Sequence, residues 1–141
     1  MHSRSHGSFG GMSHPLARKE TAFFGMIRSV PARAALLSSL GILVLCTLFP
    51  AWKLLPDIQL RPAIPLHYNI HSGIDLFGPW WNIFLIPALG AGIFLVNTIG
   101  AMTVWKRERM LALVFLGATV LAESFLFFAM LFVVLLNLSY A

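Results

Sequence analysis

Charged residues are scarce in this chain. Only 11% of its 141 residues are Asp, Glu, Lys or Arg, and 58% are apolar, whereas ordinary soluble domains carry roughly 25% charged residues. A soluble protein of this length has no core large enough to bury so much apolar side chain. The composition therefore excludes an ordinary soluble domain and predicts an integral membrane protein.

Cysteine and the common catalytic signatures are also rare or missing. Cys46 is the only cysteine and lies in an apolar run, so no disulfide framework can form within the chain. The sequence has no G-x-S-x-G, no H-E-x-x-H and no phosphate-binding glycine loop. It also lacks the basic folded face that nucleic acid would need. We therefore expect no enzyme, no cofactor and no nucleic-acid partner.

Three apolar runs are long enough to cross a bilayer, which requires about 20 helical residues. They cover residues 34–52, 82–105 and 110–136. Three such runs in one short chain favour membrane spans over buried core helices. A cleaved signal peptide is not expected at the first run, because a long basic region precedes it and no A-x-A site follows. The predicted fold is an all-α integral membrane bundle of three spans within residues 34–137, with an outer loop over residues 53–81.

Basic residues predict the orientation of the bundle. Five basic residues and one acidic residue precede the first span, and KRER, residues 106–109, joins the second span to the third. Because basic residues favour the cytoplasmic side, the N-terminus and this turn should be inside, and the outer loop and the C-terminus outside. The four tryptophans fall at predicted span ends, where the membrane interface favours them: Trp52, Trp80, Trp81 and Trp105.

The first 33 residues divide into two parts. Residues 1–15 are rich in Ser, Gly and His and are predicted to be a disordered arm, because they have little apolar surface to bury. Residues 16–33 mix apolar and basic side chains. This second segment either lies on the inner leaflet beside anionic lipid or forms a solvated basic arm, and the sequence leaves both interpretations open.

The outer loop contains the stretch IPLHYNIHSGIDLFG, residues 64–78. Apolar and polar side chains alternate from residue 66 to residue 71, which is the period of a strand with one face on an apolar surface. The residues expected on that face are Leu66, Tyr68 and Ile70. Ser72-Gly73 is a turn signal, so residues 74–77 should return as a second short strand. The loop is therefore predicted to be compact and folded onto the outer ends of the helices.

The loop carries the pattern P-x-H-aromatic-N followed by G-x-D-x-aromatic-G. Its defining residues are Pro65, His67, Tyr68, Asn69, Gly73, Asp75 and Gly78. The pattern resembles the loop signature of a bacterial membrane domain of unknown function, which also occurs in immunity proteins against the sporulation-delaying toxin. The resemblance covers about residues 36–105, and Pro87 matches a proline that recurs in the family's following helix. It implies a module of the bacterial cell membrane with an ordered outer loop.

The polar residues of the loop allow two interpretations, and a third, zinc binding, is disfavoured by geometry. Asn69 and Asp75 can cap turns while His67 lies against a backbone carbonyl, in which case removing Asn69 or Asp75 would strand a buried polar partner. Together with His71, they can instead form a binding surface for a peptide or a lipid headgroup. Zinc is not predicted, because His67 and His71 would lie ~13 Å apart on a strand, too far for one ion.

One acidic residue, Glu123, falls near the middle of the third span, about 13 residues from either end. Burial in the bilayer is costly for a charged acid, so we expect Glu123 to be neutral. Thr119 lies one turn away on the same face, and Asn97 of the second span is the best polar partner across the helix seam. A neutral hydrogen bond that fixes helix register and a proton or cation site for a transport subunit both remain open.

Small residues should let the second and third spans approach each other closely. Ala88, Gly92 and Gly100 form one stripe on the second span, and Ala118 and Ala122 form another on the third. The predicted function is a non-enzymatic binding or regulatory module that acts through its outer loop, with a transport subunit that uses Glu123 as the alternative. The expected partners are the lipid bilayer, a membrane protein or peptide, and a second copy of the chain.

Overall fold

The computed structural model describes residues 23–58 and 63–139, so the arm predicted for residues 1–15 lies outside the described residues. Three long helices, a two-stranded hairpin and a short 3-10 helix make up the fold. In chain order they are α1 (Val30–Ile58), β1 (Ile64–Asn69), β2 (Gly73–Gly78), the 3-10 helix (Trp80–Phe84), α2 (Leu85–Val104) and α3 (Arg109–Ser139). The predicted helical bundle with an ordered loop between its first two spans is confirmed.

All three helices are long and apolar enough to cross a membrane, over Val30–Pro56, Trp80–Val104 and Arg109–Ser139. The first helix extends beyond the predicted span of residues 34–52 at both ends, because α1 begins at Val30 and continues through Pro50 and Pro56. A proline removes one helical hydrogen bond, and packing against neighbouring elements can offset that loss. Here Leu54, beyond the predicted end, is buried in an apolar cluster with Ile64 of the hairpin.

The third helix is the centre of the bundle. It packs along both α1 and α2, which contact each other much less. Two buried apolar clusters hold the ends together. Met130 and Val134 of α3 belong to the cluster at the hairpin end, here named the outer cluster, and Ala112 and Leu116 belong to the cluster at the opposite end, here named the inner cluster. The face that α3 turns toward the other helices comprises Ala112, Leu116, Thr119, Glu123, Met130, Val134 and Asn137.

Residues 23–28, which are helical, close the end of the bundle opposite the hairpin. Met26 is completely buried in the inner cluster together with Trp105, whereas Phe24 remains exposed. Neither interpretation of this segment anticipated that contact, because each placed the apolar side chains against lipid or water. The segment uses Met26 to pack on the bundle itself.

The tryptophans do not all lie at a lipid-facing surface. Trp52 and Trp81 are largely exposed, but Trp105 is only 5% exposed because it packs inside the inner cluster. The guanidinium of Arg109 lies 5.9 Å from the ring centre of Trp105, and Lys53 Nζ lies 4.2 Å from the ring centre of Trp52. Trp105 therefore contributes to the core rather than to an aromatic belt.

Candidate functional site

The loop between α1 and the 3-10 helix is an antiparallel hairpin. Its register pairs Ile64 with Gly78 and Asn69 with Gly73. Gly73 has φ +75°, a left-handed conformation that glycine adopts without strain, so the predicted turn forms where the Ser72-Gly73 signal stands. The fold of the hairpin therefore follows from its turn chemistry.

The buried face of the hairpin differs from the predicted one. Register irregularities on both sides of His67 break the alternation of β1. Ile64 is completely buried and Pro65 is also buried, whereas Tyr68 is 50% exposed and Ile70 is 83% exposed. The expectation that Tyr68 and Ile70 share a buried face with Leu66 is wrong, because the register irregularities beside His67 interrupt the alternation on which it depended.

Two hydrogen bonds join the polar side chains of the hairpin. His67 Nδ1 lies 2.7 Å from Asp75 Oδ1 across the strands, and both side chains are substantially exposed. Asn69 Oδ1 accepts a hydrogen bond of 3.0 Å from the backbone N–H of His71, which is the turn-forming contact expected of Asn. Asp75 thus pairs with His67 instead of capping a turn. Because these contacts are exposed, removing Asn69 or Asp75 strands no buried partner.

Gly78 ends β2 at a close contact. A Cβ atom at this position would lie 2.6 Å from Leu66 Cδ1 and 2.7 Å from Asn82 Nδ2. A side chain at Gly78 would therefore require the ends of the Leu66 and Asn82 side chains to move. Gly78 is thus the motif residue at which β2 comes close to the side chain of Asn82 in the 3-10 helix.

An apolar groove of about 780 Å³ lies between β1, the start of α2 and the last turns of α3. Its wall consists mainly of apolar side chains, and its polar groups lie on β1 and on the last turn of α3. The residues that line it are Leu66, His67, Tyr68, Ile86, Ala129, Phe132, Val133, Leu135, Leu136 and Ser139. The groove brings His67 and Tyr68 of the predicted site next to the third span, whereas Asn69, Gly73 and Asp75 do not line it.

Asn137 anchors the hairpin to the bundle. It is 2% exposed, and its Nδ2 donates hydrogen bonds of 2.8 Å to the Pro65 carbonyl and 2.9 Å to the Val133 carbonyl. The sequence analysis did not identify this residue. A signal was available, because Asn137 lies fourteen residues after Glu123 and so on nearly the same face of α3.

Glu123 lies at the level where the three helices meet. It is completely buried, and neither carboxyl oxygen has a hydrogen-bond partner among the described residues. Its neighbours are Gly90 of α2 and Leu43 of α1: a Cβ atom built on Gly90 would lie 2.8 Å from Glu123 Oε2 and 3.2 Å from Leu43 Cδ1. The carboxyl group therefore occupies the space that a larger residue at position 90 would fill.

The two polar partners predicted for Glu123 are not used. Thr119 Oγ1 donates to the carbonyl of Phe115 at 2.8 Å, and Asn97 makes no hydrogen bond with the carboxyl group. The predicted helix seam also differs. Ala88, Gly92 and Ala118 are exposed, and the buried residues of α2 are Pro87, Gly90 and Ala101. Of the predicted stripe, Gly100 does face α3, with its nearest neighbour in the ring of Phe115.

Metal ligands are not clustered in the described part of the chain, where no three His, Cys, Asp or Glu side chains lie close enough to hold one ion. Comparisons with protein-family models, with curated proteins and with solved structures find no match to this chain.

Proposed function

We propose that this chain is a non-enzymatic binding module of the bacterial cell membrane, which regulates or protects against a membrane peptide or protein through its outer hairpin. The observation that carries the proposal is the groove between β1 and α3. Its volume of about 780 Å³ falls within the range of small-molecule and cofactor pockets, roughly 300–1,000 Å³. The proposed occupant is an apolar segment of a partner that enters from the bilayer.

The chemistry of the groove favours such an occupant. Phe132, Leu136 and Ile86 offer an apolar wall, while His67 and Tyr68 offer polar atoms at its outer edge. An apolar segment gains contact area along the wall, and its backbone or terminal polar groups can bond the edge. This division between an apolar wall and a polar edge matches a segment that lies at the outer boundary of the membrane.

Binding is favoured over hydrolysis by the position of Ser139. A histidine paired with an aspartate can activate a neighbouring hydroxyl group, and Ser139 lines the same groove as His67. However, the Ser139 hydroxyl donates to the carbonyls of Leu135 and Leu136, at 3.0 Å each. It is therefore directed to its own helix rather than to the imidazole of His67.

The resemblance to immunity proteins supports a protective or regulatory role. The residues that carry it form the ordered hairpin, and His67 and Tyr68 line the groove. A module that recognises a membrane-active peptide would need such a site on the side from which the peptide arrives. We propose that this side is extracytoplasmic, with the N-terminus and the 106–109 turn in the cytoplasm, following the distribution of basic residues.

Filling the groove tests the binding function. Ala129→Trp places a large ring in the groove, and Ala118→Trp is the matched control because Ala118 is exposed on the same helix outside the groove. After cross-linking in native membranes, Ala129→Trp should lose the partner that the wild type and Ala118→Trp retain. The partner should be a membrane protein, a peptide or a second copy of the chain. Unchanged cross-linking by Ala129→Trp at normal abundance would contradict the proposal.

Labelling with a membrane-impermeant thiol reagent tests the orientation. Ser72→Cys lies in the exposed hairpin turn, Arg107→Cys lies in the exposed turn before α3, and the native Cys46 is completely buried. In intact cells Ser72→Cys should react and Arg107→Cys should not. The reverse result would invert the proposed topology.

A subunit of a proton- or cation-coupled transporter is the second candidate. It is favoured by the complete burial of Glu123 without a hydrogen-bond partner among the described residues, since acids inside the membrane often mark ion pathways. In membrane vesicles with an imposed pH gradient, this function predicts slower decay of the gradient for Glu123→Gln than for the wild type. Equal decay rates would argue against it.

A further inference from the structure

We propose that Glu123 is a proton-binding site and that the bound proton allows α2 to pack against α3 at Gly90. This inference is independent of the outer groove, and it concerns proton binding within the bundle rather than transport across it. It begins from the position of Glu123 on α3, fourteen residues after Arg109 and sixteen before Ser139. At 1.5 Å per residue, about 21 Å and about 24 Å of helix separate the carboxyl from the two helix ends.

Within residues 23–58 and 63–139, no basic side chain faces the carboxyl group from the helices packed against it. Between Leu85 and Val104, α2 has no titratable side chain, and α3 has none besides Glu123 after Arg109. On α1, the nearest basic residues to Leu43 are Lys53 and Arg33, about 15 Å away along the helix axis in each direction. The titratable group that faces this level from α1 is the neutral thiol of Cys46, whose Sγ lies 4.0 Å from the Leu126 carbonyl.

A metal ion does not suit this site as well as a proton does. Hard cations such as Ca²⁺ and Mg²⁺ require about six oxygen ligands. The two hydroxyl groups that flank Glu123 on α3 are already used, because Thr119 donates to the Phe115 carbonyl and Ser124 donates to the Val120 carbonyl. A proton needs a single oxygen, and it removes the charge whose burial is most costly. The proton is therefore the cation that the surroundings of Glu123 accommodate.

The contact with Gly90 connects protonation to helix packing. A Cβ atom at Gly90 would lie within 2.8 Å of Glu123 Oε2, so the backbone of α2 covers the carboxyl directly. An ionised carboxylate would need water or several donors around both oxygens. Neither can reach these atoms while α2 occupies its present place. Loss of the proton should thus separate α2 from α3 at Gly90, and gain of the proton should restore the contact.

The sign of the pH dependence follows from proton counting. The folded bundle holds a proton on Glu123 that a water-exposed glutamate releases above about pH 4.3. The folded form then binds more protons than the unfolded chain, so stability falls as the pH rises. Glu123→Gln keeps the shape of the neutral acid but cannot release a proton, and it should remove this dependence.

Unfolding measured in mixed micelles at pH 5, 6, 7 and 8 tests the inference. The ratio of the wild-type unfolding equilibrium constant to that of Glu123→Gln should rise by up to about tenfold per pH unit, because one proton is released. Glu108→Gln is the matched control, since Glu108 is exposed in the turn before α3, and it should retain the wild-type dependence. A ratio that stays constant across this range would overturn the inference.

Infrared spectroscopy of the wild type provides a test that does not require the variant to fold. The chain has five Asp and Glu residues, and exposed carboxyl groups are ionised at pH 7. The folded protein at pH 7 should show the carbonyl stretch of a protonated carboxyl group, and this band should vanish on unfolding at the same pH. A folded protein without the band would overturn the inference.

Discussion

The hairpin and the centre of the bundle differ in the exposure and the hydrogen bonding of their polar side chains. On the hairpin, His67 pairs with Asp75 and Asn69 bonds the backbone of His71, yet all of these contacts are exposed. At the bundle centre, Glu123 is completely buried and has no hydrogen-bond partner in the described part of the chain. Removing the paired, exposed groups should therefore change the free energy of unfolding little, whereas the buried, unpaired carboxyl group should lower it.

Asn137 shows a third arrangement, between these two extremes. It is nearly as buried as Glu123, and its Nδ2 donates to the Pro65 carbonyl and so connects the hairpin to α3, while its Oδ1 has no hydrogen-bond partner among the described residues. Burial and pairing together decide what a polar side chain contributes, because a hydrogen bond matters most where water cannot replace it. Replacing each polar residue with an apolar one should therefore change the free energy of unfolding by amounts that differ in sign and size.

The largest effect is expected from crowding the bundle centre with Gly90→Leu. The new side chain would collide with Glu123 and with Leu43, which lie 2.8 Å and 3.2 Å from the position of its Cβ. Overpacking of this kind should lower the free energy of unfolding by about 3 kcal/mol, measured by unfolding in mixed micelles. Gly92→Leu is the control, because nothing lies within 4 Å of that position. An equal loss in both variants would show that Gly90 is not the tight contact.

The next effect is expected at the connection between the two regions. Asn137→Leu removes the donor to the Pro65 carbonyl and leaves that buried acceptor unpaired, which should cost about 2 kcal/mol of unfolding free energy. Asn97→Leu is the control, since Asn97 is only half-buried and its side chain makes no hydrogen bond with the residues that the structure describes. Asn137→Leu should also speed proteolysis within the hairpin. Unchanged proteolysis would mean that Ile64 and Leu54 hold the hairpin without Asn137.

The sequence predicted the architecture well because its signals are local. The lengths of the three apolar runs, the turn at Gly73 and the strand pattern around residue 66 each depend on neighbouring residues. The fold class and the hairpin could be predicted for that reason. The end of α1 could not, because α1 continues through Pro50 to bring Leu54 against Ile64, a contact between distant parts of the chain.

The surroundings of Glu123 were predicted less well, since they depend on which face of α2 packs against α3. The stripe through Gly92 matches the spacing of a helix seam, but the rotation of α2 places Gly90 at the contact instead. The same rotation puts the backbone of Gly90, rather than Asn97, beside Glu123. Spacing defines the possible faces of a helix, and only the packing of all three helices selects one.

An apolar substitution at Glu123 should raise the free energy of unfolding, whereas one at Asn137 should lower it. Methionine is unbranched and close to glutamate in length, so Glu123→Met can fill the same space without a buried polar group. Removing the unpaired group should raise the free energy of unfolding by about 1–2 kcal/mol, and the gain should grow with pH. Glu108→Met, at an exposed position, should change stability by less than about 0.5 kcal/mol. A loss of stability in Glu123→Met would indicate that the carboxyl group has a stabilising partner.

The smallest effect is expected from the exposed pair on the hairpin. His67 and Asp75 are close, at 2.7 Å, but their side chains are 63% and 36% exposed. Water and salt screen such pairs, so their coupling should be about 0.2–1 kcal/mol. A double-mutant cycle of His67→Ala and Asp75→Ala measures this coupling, and the cycle of His71→Ala with Asp75→Ala is the control. The coupling should also weaken at high salt. A coupling above about 2 kcal/mol would mean that a bound partner or packing shields the pair from water. The polar groups of the hairpin would then affect stability as strongly as those at the bundle centre, and the contrast between the two regions would be wrong.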